Sequence, residues 1–184
     1  MGTQSRSSGF TLIELLVVLA IAAILQTLAA PAFTAMVNSV RLTTGVNALF
    51  SSLILARSEA IKRNSRVVVC KSVSGAACIA TGGWEQGWIV FHDPNNNAVR
   101  DAGEVLLSRE PALSQLFRFT GNSPLSNYVS YTPTGTTSYA SGAFQAGTLT
   151  VCPESATRVD ARQIVISSAG RPRTVKTTVA HCPL

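Results

Sequence analysis

Charged side chains are scarce in this chain, and one long stretch almost lacks them. Only 13% of the 184 residues are Asp, Glu, Lys or Arg. From Phe10 to Ala30 the only residues that are not apolar are Thr11, Glu14, Gln26 and Thr27. An apolar run of about 20 residues is long enough to cross the hydrocarbon core of a bilayer as a helix. The sequence therefore predicts a membrane-inserted segment that carries one carboxylate, Glu14, near its start.

The residue patterns that enzymes use are also missing. The chain has two histidines, His92 and His181, far apart in sequence, and it has neither a Gly-rich phosphate loop nor a serine in a nucleophile elbow. His92 alternates with Val90, which favours a strand residue, and His181 stands beside Cys182, which favours a buried or capping role. No catalytic residue and no cofactor is predicted.

Cysteine is rare but even in number, with Cys70, Cys78, Cys152 and Cys182. Four cysteines allow three connectivities, and pairing by proximity in the sequence joins Cys70 to Cys78 and Cys152 to Cys182. A zinc site is the alternative, but no Cys-x-x-Cys pair exists and the histidines do not complete a familiar ligand spacing. Disulfides are favoured if most of the chain lies outside the cytoplasm.

A short polar leader precedes the apolar run; it carries one cation, Arg6, and ends at Gly9. A carboxylate such as Glu14 costs about 2.5–3.5 kcal/mol inside an apolar helix, so it is expected to have a partner. Cleavage after Gly9 would supply one as a new α-amino group, and a cation of another subunit would be a second. An ordinary signal peptide cut near Ala29 or Ala30 is the alternative, but its apolar region would be shorter and would lack Glu14.

The stretch Gly9-Phe10-Thr11-Leu12-Ile13-Glu14, followed by an apolar helix with Pro31 near its end, resembles the start of the type IV pilins and pseudopilins. The resemblance implies cleavage after Gly9 and N-methylation of Phe10 by a prepilin peptidase. It implies that Glu14 pairs with the N-terminus of a neighbouring pilin subunit. It also implies a single-pass anchor in the inner membrane, with the head in the periplasm, that later packs in the core of a pilus on the cell surface.

Beyond the apolar run the pattern becomes amphipathic. Apolar residues recur at spacings of three and four at Leu42, Val46, Leu49, Leu53, Ala56 and Ala60, so one helix from Phe10 to about Arg63 is predicted. The rest reads as eight strands bounded by Gly, Pro, Asn and Ser. They are Arg66–Lys71, Trp88–His92, Glu104–Arg109, Leu116–Thr120, Tyr128–Thr132, Gly147–Cys152, Arg162–Ser167 and Arg173–Val179.

The segment Trp84–Asp93, with the Asn-rich turn and Gly103–Leu107 after it, resembles the heads of the GspH/FimT branch of minor pilins and pseudopilins. The expected fold is α+β, in which a long N-terminal helix, membrane-spanning in its first half, packs on a small antiparallel β-sheet head. The expected domains are a removed leader (1–9), a transmembrane and filament-core helix (10–37) and a periplasmic or extracellular head (38–184).

The Asn-rich segment between Asp93 and Glu104 is a candidate calcium loop. Oxygen-bearing side chains stand at the EF-hand ligand positions 1, 3, 5, 9 and 12, which are Asp93, Asn95, Asn97, Asp101 and Glu104. Against calcium, Ala98 replaces the glycine of the sharp turn, Arg100 adds a cation, and strands instead of helices flank the loop. The alternative is a hairpin connection held by Asx-type turns. No metal site is predicted, and calcium is kept as a hypothesis.

Acidic side chains are absent after Asp160, whereas Arg162, Arg171, Arg173 and Lys176 are basic. Gly170-Arg171-Pro172-Arg173 lies between two predicted strands, so both arginines would project from a turn and could bind phosphate. The run resembles the Gly-Arg-x-Arg motif of DNA-uptake pilins of the FimT type. This implies binding to double-stranded DNA through these residues, with Arg162 and Lys176 widening the patch.

Two functions are compatible with these patterns. The first is a minor type IV pilin that binds extracellular double-stranded DNA for uptake in natural transformation. No aromatic residue follows Phe144, so binding would be to phosphates, independent of sequence and sensitive to salt. The second is a structural minor pilin, or a GspH-like pseudopilin of type II secretion, that primes or caps a filament without binding DNA. The arginine pair would then be a solvated hairpin tip.

Overall fold

The computed structural model describes residues 10–113, 117–154 and 158–183. The leader with Gly9 and the predicted strand start at Leu116 lie outside these ranges. The chain divides into two compact units, Met1–Val40 and Arg41–Leu184. The second unit is the head, and it contains every residue of the sites discussed below except Thr11 and Glu14.

Helix α1 spans Leu12–Arg63, close to the predicted bounds. It ends in a Schellman motif, because the Ser65 N–H donates to Ala60 O and the Asn64 N–H donates to Ile61 O, each at 3.2 Å. Asn64 has the left-handed φ of 48° that this motif requires. The predicted helix end at about Arg63 is therefore confirmed by these hydrogen bonds.

The two halves of α1 expose their apolar side chains very differently. The predicted core face of the second half is buried, at Leu42, Val46, Leu49, Leu53, Ala56 and Ala60. The window Met36–Arg63 is apolar enough to span a membrane by composition, but much of that apolarity belongs to this buried face. The shorter apolar segment Leu12–Thr27 instead leaves its large side chains exposed, as at Leu12 and Ile24. We infer that the first segment, and not the second, is the one suited to lipid.

The head contains two four-stranded antiparallel sheets. Sheet A has the order β3-β2-β1-β5, and sheet B has the order β4-β6-β7-β8. The strands are β1 Arg66–Lys71, β2 Trp88–Asp93, β3 Leu106–Glu110, β4 Phe117–Gly121, β5 Tyr128–Tyr131, β6 Gly147–Pro153, β7 Val159–Ile166 and β8 Pro172–Val179. The predicted α+β pilin-like fold is confirmed, with the head built from two sheets.

The core forms where the buried face of α1 meets the inner faces of both sheets. Trp88 of β2 illustrates the packing, since its indole N–H donates to Ser52 Oγ of α1 at 2.9 Å. Its ring also meets Phe119 of β4 edge to face, with centroids 6.5 Å apart. One fully buried tryptophan thereby joins the helix and the two sheets.

Two disulfides lie on the outer faces of the sheets. They join Cys70 to Cys78 and Cys152 to Cys182, which is the pairing expected from sequence proximity. The second bond fixes the segment after β8 against β6, where Ala161 completes a small buried cluster. In the chain-entropy model a bond closing this longer loop stabilises the head by roughly 3–4 kcal/mol.

Candidate nucleic-acid interface

The connection between β7 and β8 is a tight turn that needs its glycine. The Gly170 N–H donates to Ser167 O at 2.8 Å, and Gly170 has a φ of 73°. A Cβ at this position would lie 2.1 Å from the carbonyl oxygen of Gly135. Gly170, which the sequence suggested as part of the DNA motif, therefore has a structural reason to be glycine.

The neighbouring turn at residues 132–136 supports the β7–β8 connection. Thr137, just after it, donates its N–H to Ser168 O at 3.3 Å, and its hydroxyl oxygen lies 3.2 Å from Ser167 O. Arg57 of α1 donates to Gly135 O at 3.0 Å, which fixes the turn from the other side. The two turns thus form one packed surface.

Arg171 and Arg173 are both exposed at this surface. Neither guanidinium makes a hydrogen bond or an ion pair with any residue in 10–113, 117–154 or 158–183. Arg173 lies opposite Val165. Asp160 is five residues along the same strand from Val165, a separation of about 17 Å. The two cations therefore keep their full hydrogen-bonding capacity for a ligand.

Arg162 and Lys176 lie apart from that pair. They are directly opposite each other on β7 and β8. Arg162 is also opposite the buried Val151 of β6, so the three residues form one row across the strands. Side chains on a strand alternate between faces, so this row is on the opposite face of the sheet from Arg173. There they line a groove of about 300 Å³ together with Thr43 and Asn47 of α1. The register does not favour a single patch of all four cations.

The candidate calcium loop uses its oxygen atoms within the loop itself. Both carboxylate oxygens of the fully buried Asp93 accept backbone N–H groups, from Asn97 at 3.2 Å and from Ala98 at 2.9 Å. Asp101 accepts the amides of Asn95 and Asn97 at 2.7 and 2.8 Å. These bonds lower the pKa of Asp101. No cluster of three His, Cys, Asp or Glu side chains able to hold a metal occurs among the described residues.

Glu104, the last of the five calcium candidates, also takes part in the loop's own hydrogen bonds. One carboxylate oxygen accepts the Asp101 N–H at 3.0 Å. Arg100 donates to the carbonyl oxygen of Glu104 at 3.4 Å and to that of Ala76 at 2.7 Å. The arrangement is that of a hairpin connection held by Asx-type turns.

At the start of α1, Glu14 forms a capping box with Thr11. One Glu14 carboxylate oxygen accepts the Thr11 N–H at 2.8 Å, while the Glu14 N–H donates to the Thr11 hydroxyl at 3.3 Å. Thr11 was not singled out as a partner from the sequence, although the Thr-x-x-Glu spacing signals this motif. Within one chain, Thr11 therefore supplies the hydrogen-bond partner of Glu14.

A groove of about 650 Å³ in the head has no catalytic arrangement among its described lining residues. Lys71 donates to the carbonyl oxygens of Ala80 and Gly82 at 3.1 and 2.7 Å, and burial lowers the pKa of its ammonium group. Glu85 accepts the Phe119 N–H at 2.8 Å. Arg118 and Glu154, which also line the groove, form an ion pair with each other. The charged groups of this groove thus have partners within the head.

Comparison with known proteins agrees with this architecture. The family model for Type II transport protein GspH matches residues 45–170, and the model for the prokaryotic N-terminal methylation motif matches residues 4–29. Two crystal structures of the type IV minor pilin FimU from Pseudomonas aeruginosa PAO1, in space groups P21 and P65, share the fold. Each is 16% identical with a TM-score of 0.53, over 77% of this chain and 95% or 100% of the FimU chain.

The curated proteins gave no match. At 16% identity the FimU structures support the fold alone, so family membership depends on the two sequence models. The GspH model covers more than half of the chain, and the methylation motif stands at its start, where an apolar helix suited to anchoring in the inner membrane follows. This chain is therefore a member of the type IV pilin and pseudopilin family, in its GspH branch.

Proposed function

We propose that this minor pilin binds extracellular double-stranded DNA through Arg171 and Arg173 and supports DNA uptake in natural transformation. One observation carries the proposal: two exposed guanidinium groups, one on the β7–β8 turn and one at the start of β8, have no partner among the described residues. The GspH family model matches residues 45–170, so the two arginines lie just beyond the matched range.

The expected mode of binding follows from the surroundings of the two arginines. A guanidinium donates charge-assisted and often bidentate hydrogen bonds to phosphate. The last aromatic residue of the chain is Phe144, so no aromatic side chain of β6, β7 or β8 can stack on a base. Contacts would therefore be made to the DNA backbone and would carry no sequence information.

Processing and assembly belong to the same proposal. Cleavage after Gly9 and methylation of Phe10 by a prepilin peptidase would produce the mature N-terminus, and a neighbouring subunit's N-terminus would replace Thr11 as the partner of Glu14. The head would face the periplasm before assembly and the cell exterior afterwards. The methylation motif at residues 4–29 supports this pathway.

The test is DNA binding by the head, residues 38–184, which carries the whole buried core and both disulfides. Affinity would be measured across a salt series for the wild type and for Arg171→Ala, Arg173→Ala and the double variant. The matched control is the double variant Arg162→Ala and Lys176→Ala, which removes the same charge from the other face of the sheet. The wild type is expected to give a log–log salt slope of about −2 to −4.

Each arginine that contacts a phosphate should reduce the magnitude of that slope by about 1 when it is removed. The control pair should leave the slope nearly unchanged. Absence of binding at low salt, or equal losses in both double variants, would refute a localised DNA site. The alternative of a purely structural pilin or type II secretion pseudopilin, which the GspH match favours, would then stand. In cells, the structural alternative predicts that deletion of the protein abolishes piliation or secretion. The DNA-binding proposal predicts instead that transformation is lost while the pili remain intact.

A further inference from the structure

Next to the arginine turn lies a compact group of three hydroxyls that the sequence did not single out. The hydroxyl oxygens of Thr132, Thr134 and Thr136 are 2.9, 2.7 and 3.1 Å apart in the pairs 132–134, 132–136 and 134–136. Thr134 and Thr136 are exposed. This hydroxyl cluster occupies the tip of the turn that packs against Gly170.

The distance between the cluster and the arginine turn is short. A Cβ placed on Gly170 would lie 3.2 Å from the Thr136 Cα, and Arg171 is the next residue in the chain. The Gly135 N–H donates to Thr132 O at 2.9 Å, and Pro133 occupies the second position of this turn, which it favours. Both turns are therefore fixed, and a group bound by Arg171 would lie within reach of the threonine hydroxyls.

The hydroxyl groups of Thr134 and Thr136 are available to donate hydrogen bonds to a ligand. Each hydroxyl has one proton and two lone pairs. The Thr132 hydroxyl can donate to Thr136 O, which is 3.2 Å away. The protons of Thr134 and Thr136 then have only other hydroxyls as acceptors inside the cluster, and rotation about the C–O bond can turn both toward solvent. Threonine hydroxyls are common donors to phosphate oxygens in protein–DNA interfaces.

We infer that Thr134 and Thr136 extend the arginine site, so that one phosphate of the DNA backbone is held by hydroxyl donors and Arg171 together. This inference rests on the proposed function, because it names further residues of the same surface. The hydroxyls are neutral, so they add hydrogen bonds to the phosphate without releasing additional counterions. Their contribution can therefore be separated from that of the arginines by salt dependence.

The experiment compares the double variant Thr134→Val and Thr136→Val with wild type, using a duplex of random sequence and the same salt series. Valine keeps the β-branched shape and removes only the hydroxyl. The affinity is expected to fall about three- to tenfold, as for one or two lost hydrogen bonds, with the salt slope unchanged. Thr178→Val, an exposed threonine near the far end of β8, is the matched control and should bind as wild type.

The outcomes separate the two proposals. If the arginine variants lose binding while the valine variant binds as wild type, the hydroxyl inference is wrong and the DNA site stands. If the valine variant changes the salt slope, the threonines act by placing Arg171 and not by contacting phosphate, which also overturns the inference. If wild type fails to bind DNA, the proposed function itself fails. Thermal unfolding of the valine variant checks that the turn remains folded.

Discussion

The connection between β2 and β3 and the connection between β7 and β8 both carry polar and charged side chains, but they use them in opposite ways. In residues 93–105 the acidic side chains bind inward: Asp93 and Asp101 accept hydrogen bonds from the loop's own backbone and amides. Arg100 donates to Glu104 O within the loop and to Ala76 O outside it. In residues 167–171 the backbone turn is closed by Gly170, and Arg171 keeps no partner among the described residues.

This difference distinguishes side chains that are available to bind a ligand from side chains that stabilise the fold of the head. The longer loop is richer in the oxygen atoms that ligands require, yet Asp93 and Asp101 already accept hydrogen bonds from the loop itself. The Glu104 Oε1, which has no partner among the described residues, is buried. The shorter turn has fewer polar groups, yet its arginines are exposed. The neighbouring turn at residues 132–136 fixes the backbone that carries them. Residue type alone would favour a ligand site in the connection between β2 and β3. The availability of hydrogen-bond donors instead favours the connection between β7 and β8.

The largest effect that would sharpen this comparison is expected from Gly170→Ala. The left-handed φ costs an alanine about 1–2 kcal/mol, and its Cβ would meet the Gly135 oxygen, so the head should lose roughly 2–4 kcal/mol of unfolding free energy. Gly142→Ala is the matched control, since Gly142 has a φ of 87° with open space around its Cβ. The difference between the two variants in urea unfolding measures the contact between the turns.

An equal loss in the two glycine variants would contradict that packing. The two turns would then be independent, and the fixed placement of Arg171 beside Thr136 would lose its support. A larger loss for Gly170→Ala, by contrast, would show that the arginines project from a surface that cannot easily rearrange.

A smaller effect is expected from Asp93→Ala in the longer loop. Its carboxylate is fully buried and accepts two backbone N–H groups, from Asn97 and Ala98. Leaving a buried donor without a partner costs about 1–3 kcal/mol. Asp101→Ala is the control within the same loop, because its oxygens accept amides near the surface and water can replace it. If urea unfolding shows that Asp101→Ala destabilises the head more than Asp93→Ala does, the buried Asp93 carboxylate is not the main support of this loop.

Much of the fold could be predicted from the sequence because periodicity is a local signal. The three- and four-residue spacing of Leu42, Leu49 and Leu53 marked the buried face of α1, and all eight strands lie within a few residues of their predicted bounds. The predicted start of β4 is not part of this comparison, because Leu116 is outside the described residues. Pairing by proximity also gave both disulfides.

The candidate site depended on information that no local pattern contains. Alternation along a strand is enough to put Arg173 and Lys176 on opposite faces, but only the strand register puts Arg162 beside Lys176. The contact of Gly170 with Gly135 joins segments 35 residues apart, so the threonine cluster could not be linked to the arginines in advance. The role of Thr11 was accessible from its capping-box spacing with Glu14 and was missed.

The smallest effect concerns the acid stability of the longer loop. Hydrogen bonds from the Asn95 and Asn97 amides lower the pKa of Asp101 in the folded head. The unfolded chain therefore binds this proton more readily, so Asp101 contributes stability above its unfolded pKa of about 3.9. That contribution is lost as the pH falls through the lower folded pKa. Urea midpoints of wild type and Asp101→Asn, measured from about pH 5 to about pH 2, should therefore converge as the acid is protonated. A difference between the two proteins that stays constant over this range would mean that the carboxylate is not held by the amides.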